Sequence, residues 1–499
     1  MGMDTTAVAS CPAHRYPNSM TPEEFRRAGH QLIDWIADHR ERIESLPVRA
    51  PVEPGDVSAA MPKTPPESPL TFAQMLAELE RVAVPGTFQV QHPMHFGWFP
   101  SNASLSSVLG DISCAGLGTL GISWESCPAL TEVEEVVCDW MAQLTGLPEP
   151  WKGTIHDTAS TACLTALLVA RERHSDYSEF SGGLQGLQQP LVVYSTEQAH
   201  ASVVKAALLA GFGRDNLRWI ATDPETHAMS VPALQKAMAE DAAAGRAPAA
   251  VVASLGSTSV TAFDPIGEIV RAAEPYGAWV HADAAMAGSA MLLPECRGLF
   301  EGIEGADSIS WNPHKWMGTI LDTSLFYVRD PLTLQHVMST NPSYLQSAED
   351  GQVTQYRDWG IPLGRRFRAL KLWFHLSLDG PEAIRARLRR DLENARWLEQ
   401  QVRDTEDWQV VAPLTLQTVC IRHQPAGLAG DELDRHTLDW LRRVNRSGRA
   451  FLSPSLVDGR WLVRVSVGVE STERRHVETL WQLLQEAAAE SLEGVKSSN

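Results

Sequence analysis

The segment Ser308-Ile-Ser-Trp-Asn-Pro-His-Lys-Trp316 runs from an apolar stretch into a polar turn that presents Lys315 between an imidazole and an indole. A lysine there is poorly placed as an ordinary solvated charge. Partial desolvation lowers the pKa of an amine, which is what a Schiff-base lysine requires, so its natural partner is a carbonyl cofactor. In Trp279-Val-His-Ala-Asp-Ala-Ala285, Asp283 lies near the carboxyl end of an apolar strand, and ligands of open α/β sheets bind outside those ends. An acid at that place can hold the protonated pyridine nitrogen of pyridoxal phosphate and make its ring an electron sink. His281 and Asp283 also fit an HxD metal pair, and His92 with His95 a second one. Neither has a third ligand at helical or strand spacing, and the second pair sits in a proline-containing stretch.

Two further stretches suit the same chemistry. Asp157-Thr-Ala-Ser-Thr161 opens a helix with small residues whose free amides favour a dianionic phosphate, although small polar residues cap most helices. Trp98, Phe99 and Pro100 make an apolar aromatic wall, suited to an aromatic ring rather than to a charged tail.

The elements that must position these residues are legible in outline. Residues 1 to about 20 are polar and unpatterned, a loose tail. Thr21-Pro-Glu-Glu24 predicts a helix start with Thr21 as N-cap, Pro22 at the first helical position and Glu24 completing a capping box. Prolines from Pro47 to Pro69 keep the following stretch extended, and a second helix is predicted over 72–82. From about 104 to 375, apolar runs at 191–195, 251–255, 279–283, 308–311 and 324–328 alternate with helical patterns at 159–172, 199–211, 232–242 and 266–275. That alternation predicts a mainly parallel α/β sheet. Beyond Pro381 the pattern changes to a long helix, strands near 408–412, 418–422, 450 and 461–467, and helices over 431–445 and from about 472. The expected organisation is a tail and helical segment over 1–103, a large α/β domain over 104–378 and a small α+β domain over 379–499.

Composition excludes several alternatives. The 499 residues, at ~100 to 200 per domain, suggest about three structural units. With 42 Lys+Arg against 61 Asp+Glu the formal charge is -19, which argues against a phosphate-backbone surface and hence against nucleic acid. The seven cysteines are scattered without a CxxC pair, so they read as buried small hydrophobes in a reducing compartment. No apolar run approaches the ~18 to 20 residues of a membrane helix, and the N-terminus lacks a secretory pattern; a cytoplasmic protein away from membranes is expected.

Four motifs in order and spacing, Asn312-Pro-His-Lys-Trp316, His281-Ala-Asp-Ala-Ala285, Ser123-Trp124 with Ser126-Cys-Pro-Ala-Leu-Thr-Glu132, and Ile361-Pro-Leu-Gly-Arg-Arg-Phe367, carry a family resemblance over nearly the whole chain. The sequence resembles the pyridoxal-phosphate-dependent group II decarboxylases of the aromatic-L-amino-acid decarboxylase family. The resemblance implies a fold-type-I, aspartate aminotransferase-like α/β enzyme: a large, mainly parallel seven-stranded sheet domain, an N-terminal helical dimerisation segment and a small C-terminal α+β domain, assembled as a homodimer. It implies that Lys315 carries the cofactor, that Asp283 pairs with the ring nitrogen, and that Asn312 and His314 approach from the same turn. Thr158, Ala159 and Ser160 match phosphate-binding positions, Thr258 a further cofactor contact, and His200 the histidine that stacks on the ring and touches substrate.

Tyr344, in Asn341-Pro-Ser-Tyr-Leu345, matches the mobile-loop tyrosine that protonates the substrate α-carbon after carbon dioxide leaves; relatives with Phe there form an aldehyde instead. The loop from about 338 to 354 has the polarity of a gating lid. Trp98, Phe99, Pro100, Ser101, Ile122, His200 and Gly364 are the implied substrate positions. Gly364 stands where plant relatives with Gly tend to take indolic substrates, and with Ile122 it tilts the expectation toward tryptophan-like amino acids. Tyrosine, DOPA, 5-hydroxytryptophan and phenylalanine stay open. The rival expectations are an aromatic aldehyde synthase of the same family and a non-catalytic or metal-dependent protein on a similar fold. The chain departs from the family before the phosphate loop, with Gly153 alone of several glycines and His156 and Asp157 in place of Gln and Gly. A carboxylate beside a phosphate is adverse unless it points away.

Overall fold

The computed structural model describes residues 20–340 and 350–496; Tyr344 and most of the expected lid lie outside the described residues. Backbone contacts divide the chain into two compact units, one ending at Phe88 and the other beginning at Gln89.

In the first unit, helix α1 (Pro22–Glu41) starts with the expected capping box: the Glu24 N–H donates to Thr21 Oγ1 at 3.2 Å and the Thr21 N–H to Glu24 Oε2 at 2.8 Å. The proline-rich stretch is not wholly extended, because Gly55 in the left-handed region turns it into a short helix, α2 (Asp56–Ala60). Helix α3 (Phe72–Glu78) begins at a second capping box, Thr71 with Gln74, and gives way to a wider turn over Leu79–Ala83.

The second unit is built on a seven-stranded sheet in the order β1-β7-β6-β5-β4-β2-β3. Its strands are β1 (Lys152–His156), β2 (Leu191–Ser195), β3 (Leu217–Trp219), β4 (Ala247–Ser254), β5 (Trp279–Asp283), β6 (Ser308–Trp311) and β7 (Ser324–Val328). From β3 to β6 all neighbours are parallel; β7 is reversed, and β1, antiparallel to β7, regains the common direction. Helices α4 (Leu105–Leu117) and α5 (Pro128–Thr145) precede the sheet; the crossover helices are α6 (Ala159–His174), α7 (Ala201–Leu209), α8 (Val231–Ala243) and α9 (Ile266–Ala273), and α10 (Pro331–Met338) and α11 (Ala369–Leu378) follow it.

Both faces of the sheet are covered, which explains why β4 is buried at every position and apolar up to its final Ser254 rather than alternating. Val192, Tyr194, Val251 and Ala253 face a core with Leu234, Met238, Ile266 and Ile269 of α8 and α9. Val193, Ala250 and Val252 face the opposite core, with Ala162, Cys163 and Ala166 of α6 and Val203 and Ala206 of α7. Helices α4 and α11 touch backbone to backbone: a Cβ on Gly110 would lie 2.5 Å from the Leu370 carbonyl oxygen.

A second sheet of four antiparallel strands, β8 (Trp408–Val410), β9 (Thr418–His423), β10 (Ser453–Val457) and β11 (Arg460–Ser466), has the order β10-β11-β9-β8. It is accompanied by α12 (Pro381–Asp404), α13 (Gly430–Arg446) and α14 (Arg474–Lys496). In the large sheet the edge strand β1 is completed by side chains. The Ile155 N–H donates to Glu134 of α5 at 3.0 Å, its carbonyl accepts from Arg365 at 3.0 Å, and the two side chains pair at 2.9 and 2.6 Å.

Candidate active site

Five strands of the large sheet release their chains at one edge, and each release carries expected site residues. Asp283 ends β5, while β6 leads into Asn312 and the turn Pro313–Met317 that holds Lys315. His200 is the N-cap of α7 after β2, Thr158 that of α6 after β1, and Thr258 sits in the turn after β4. The sheet register places Ser254 beside Asp283 and Asp283 beside Ser310, and the Leu255 N–H bonds the Asp283 carbonyl at 2.9 Å. A parallel sheet gathers these far-separated loops because all its strands point the same way.

Lys315 is a non-helical residue (φ -96°, ψ -111°) inside its turn, and its Nζ lies 5.4 Å from the centre of the Phe99 ring. Burial pushes its pKa below the ordinary lysine value; the Asp283 carboxylate opposes that shift and the Arg464 charge adds to it. Burial likewise lowers the His200 imidazole, with Asp283 opposing and Lys315 reinforcing, so the three groups sense one another's charge. His200 keeps an open edge to solvent and is held by Ser202, whose N–H donates to Nδ1 at 3.2 Å. His314 accepts the Thr323 N–H on Nδ1 at 2.9 Å, and burial brings its pKa down to about 4, leaving a neutral ring.

At the start of α6 the N–H of Thr158 is taken by its neighbour Asp157, Oδ1 accepting at 2.7 Å. The carboxylate that stands where the family has Gly therefore turns onto the helix end and occupies the first amide. Thr158 itself makes no side-chain cap, and the amides of Ala159 and Ser160 have no protein acceptor among the described residues. Cys163, one turn further on, still feels the Asp283 charge. Asn312 is buried, its N–H bonded to the Ala285 carbonyl at 2.9 Å, yet its Oδ1 has no hydrogen-bond partner. Free amides at a helix start, an orphaned amide oxygen and a lysine of lowered pKa opposite a carboxylate fit a phosphorylated carbonyl cofactor.

The expected substrate positions divide into two groups. Phe99 lies against Lys315, and buried Pro100 and half-buried Ser101 follow it. Trp98, at φ 50° and half exposed, packs instead on Phe451, with ring centres 5.0 Å apart. Ile122 and Gly364 sit together, because the Gly121 N–H bonds the Arg365 carbonyl at 2.8 Å; among the described residues no hydrogen bond or ring contact links them to Lys315. His281 is committed to the sheet, its two nitrogens facing Ser308 Oγ at 2.9 Å and Ser310 Oγ at 3.3 Å. His92 accepts the Met94 N–H on Nδ1 at 3.0 Å, and His95 stacks on Phe451. Neither histidine pair forms a metal-type cluster among the described residues.

Four residues around Lys315 carried no local sequence signal. Arg464 of β11 is 4% exposed, stacks at 4.7 Å over Phe99, and leaves Nε and Nη2 without partners. Arg387 of α12 donates to the carbonyls of Trp316, at 2.7 Å, and Met317, while Asp391 accepts the Trp316 indole N–H at 3.0 Å. Asn102 bonds the carbonyl of Lys315 itself. An i,i+4 Arg/Asp pair on a long helix and a lone Asn after an aromatic run are ordinary in sequence, and only the fold brings them to Lys315.

A lysine, an acid and a free helix start gathered at the carboxyl edge of a mainly parallel sheet, with a second small sheet in the same unit, define a fold-type-I pyridoxal-phosphate enzyme. Comparisons with known proteins reach the same class and narrow it. Residues 54–424 match the family described as Pyridoxal-dependent decarboxylase conserved domain. The chain is 38% identical to phenylacetaldehyde synthase of Arabidopsis thaliana, covering 94% of this chain and 97% of that protein. It is 36% identical to tryptophan decarboxylase 2 of Oryza sativa subsp. japonica, covering 95% and 96%. The crystal structure of Oryza sativa TDC with PLP and tryptamine superposes with a TM-score of 0.91 at 35% identity, covering 94% of this chain and 99% of that one. The protein belongs to the pyridoxal-dependent decarboxylase family, and its cofactor is pyridoxal phosphate.

Proposed function

We propose that the protein decarboxylates an aromatic L-amino acid to its arylalkylamine, with the chemistry centred on Lys315. The observation that carries this is the Lys315 amine, its pKa lowered by burial, facing Asp283 and lying over Phe99. Relatives named as tryptophan and tyrosine decarboxylases support the substrate class.

Pyridoxal phosphate, when bound, supplies a ring that accepts the electron pair left as carbon dioxide departs. Lys315 would hold its carbonyl carbon, Asp283 would keep a proton on its ring nitrogen, and the amides of Ala159 and Ser160 would take its phosphate, with the Thr158 hydroxyl beside them. Asn312, His314 and Thr258 would border it, the first offering the free Oδ1. His200 would cover the ring face and exclude water there. Arg464, a buried guanidinium with two unpartnered donors, is the cation available for the substrate carboxylate, and Phe99, Pro100 and Ser101 would wall the aromatic side chain. Tyr344, by its match to the family's lid tyrosine, would return a proton to the α-carbon.

The assembly we propose is a homodimer. Leu105, Leu109 and Ile112 of α4 are 49%, 44% and 43% exposed, at the i, i+4, i+7 spacing of one helix face. Val136 and Trp140 of α5 and Trp373 of α11 are exposed as well and line an apolar groove. A second copy of the chain is the occupant that also accounts for Ile122 and Gly364, which would then serve the partner's site. Gly364 has nothing within 4 Å of its Cβ position in the single chain and stands where plant relatives with Gly tend to take indolic substrates, so tryptophan-like substrates are favoured. No helix of the described residues is long and apolar enough to cross a membrane, and the described cysteines are all free thiols, which suits the cytoplasm.

The test is a panel of aromatic L-amino acids assayed for amine, carbon dioxide, ammonia and peroxide, with borohydride trapping of the cofactor and peptide mapping. Amine equal to carbon dioxide, and label on Lys315, are expected. The 38% identity to an aldehyde synthase makes that activity the second reading. Ammonia and peroxide in step with carbon dioxide would establish it instead.

A further inference from the structure

We propose that Asn102 is a positioning residue that fixes the backbone of Lys315, so that the strap Trp98–Asn102 sets both the peptide and the amine of that lysine. The inference rests on the assignment of Lys315 as the cofactor lysine. Asn102 is 1% exposed, and its amide is fully used. Nδ2 donates to the Lys315 carbonyl at 3.2 Å and to the Gly468 carbonyl at 2.8 Å, while Oδ1 accepts the Glu470 N–H at 2.9 Å. A primary amide has two donor hydrogens and an acceptor oxygen; no other side chain of this length supplies both donors and an acceptor.

The Lys315 carbonyl needs such a donor. Its residue departs from helical geometry within the turn, and the hydrogen bonds that close the turn, from Gly318 and Thr319, both end on Pro313. Three successive carbonyls are therefore held from outside: Lys315 by Asn102, Trp316 and Met317 by Arg387. The same strap places Phe99 beneath Nζ. The jaw opposite Asn102 is the chain after β11, where a Cβ on Gly468 would meet Pro100 Cγ at 2.5 Å and Trp316 Cδ1 at 3.0 Å; only glycine lets that chain close onto the strap and turn. Rotation of the 315–316 peptide plane would swing the amine, and misplacements on the ångström scale slow reactions about a hundredfold.

The experiment measures how fast pyridoxal phosphate added to apoenzyme becomes trappable by borohydride on Lys315, with peptide mapping. Asn102→Ala is expected to slow capture about ten- to a hundredfold. Asn445→Ala serves as the control for general loosening: it removes two bonds to Leu452, at 3.0 and 2.9 Å, touches nothing in the Lys315 turn, and should capture at the wild-type rate. Asn102→Asp keeps the shape and the acceptor for Glu470 but loses both donors at neutral pH. Its buried carboxyl, protonated as pH falls, regains one donor. The ratio of its capture rate to wild type should therefore rise toward acid pH by more than the change in its urea midpoint accounts for, which a merely structural defect would not produce. Wild-type capture by Asn102→Ala, or a flat ratio for Asn102→Asp where the alanine variant does not fold, overturns the proposal. Label on a residue other than Lys315 in the wild-type protein overturns the assignment of the lysine itself.

Discussion

Glu134 and Arg365 complete the open edge of β1, and replacing one without the other should be worse than replacing both. Glu134 is 0% exposed and Arg365 9%. Between them run bonds of 2.9 and 2.6 Å, with further bonds to the N–H and carbonyl of Ile155, and the guanidinium also lies 4.7 Å over the Tyr356 ring. In Arg365→Gln the carboxylate is left buried without its counter-charge, and in Glu134→Gln the guanidinium is; breaking one half of a buried pair costs about 3 to 5 kcal/mol. That is a large share of a total stability of about 5 to 15 kcal/mol. The double variant is neutral, and two glutamine amides can still donate to and accept from Ile155. Its loss is the weakening of a few hydrogen bonds, about 1 to 3 kcal/mol. Urea unfolding of the four proteins in a double-mutant cycle should thus give a coupling of several kcal/mol in favour of the matched pairs. Losses that simply add would refute the picture of side chains acting as the missing strand. Ile155 lies three residues before Thr158, so the single variants should also bind pyridoxal phosphate more weakly than the double.

Arg464→Met should raise KM for the amino acid about 10- to 100-fold, the worth of a charge-assisted hydrogen bond, while inhibition by the product amine, which lacks the carboxylate, stays unchanged; equal losses for both ligands would remove Arg464 from carboxylate binding. Burial holds His156, His281, His314 and His436 at pKa values of about 4, below the unfolded value near 6.5. Their stabilisation is fully present above pH 6.5 and is lost as pH falls toward and through 4. The urea midpoint should fall over that window, less steeply in His436→Gln, whose ring otherwise bonds His423 at 2.8 Å and Ser491 at 3.0 Å. Gly468→Ala should cost about 1 to 3 kcal/mol by overpacking, read as a lowered Tm, because Pro100 and Trp316 leave no room for its Cβ.

Much of the scaffold was legible because buried parallel strands are apolar runs with helices between them. The predicted runs at 191–195, 279–283, 308–311 and 324–328 are β2, β5, β6 and β7, and the helical patterns at 159–172, 232–242 and 266–275 are α6, α8 and α9 within two residues at each end. Strands β1 and β3 lie outside the predicted runs. Lys152-Gly-Thr-Ile-His156 alternates polar with apolar on an edge whose bonds are completed by distant side chains, and Leu217–Trp219 is only three residues long. Within the candidate site, Lys315 and Asp283 were proposed from motif and strand position, and His200 from the family resemblance. Arg464, Asn102, Arg387 and Asp391 were not, since each reaches the lysine turn from an element at least 70 residues away in sequence.

The start of α6 also has a kinetic consequence. Asp157 occupies its first amide, and the chain carries a formal charge of -19, so a phosphate dianion bound as proposed would approach through a repulsive far field and be held by short-range contacts with the amides of Ala159 and Ser160 and the Thr158 hydroxyl. Added salt shortens the reach of the repulsion to about 8 Å at physiological ionic strength and leaves those close contacts almost untouched. Cofactor loading should therefore accelerate as salt rises while release stays constant, the reverse of a site that draws in its anion by net positive charge.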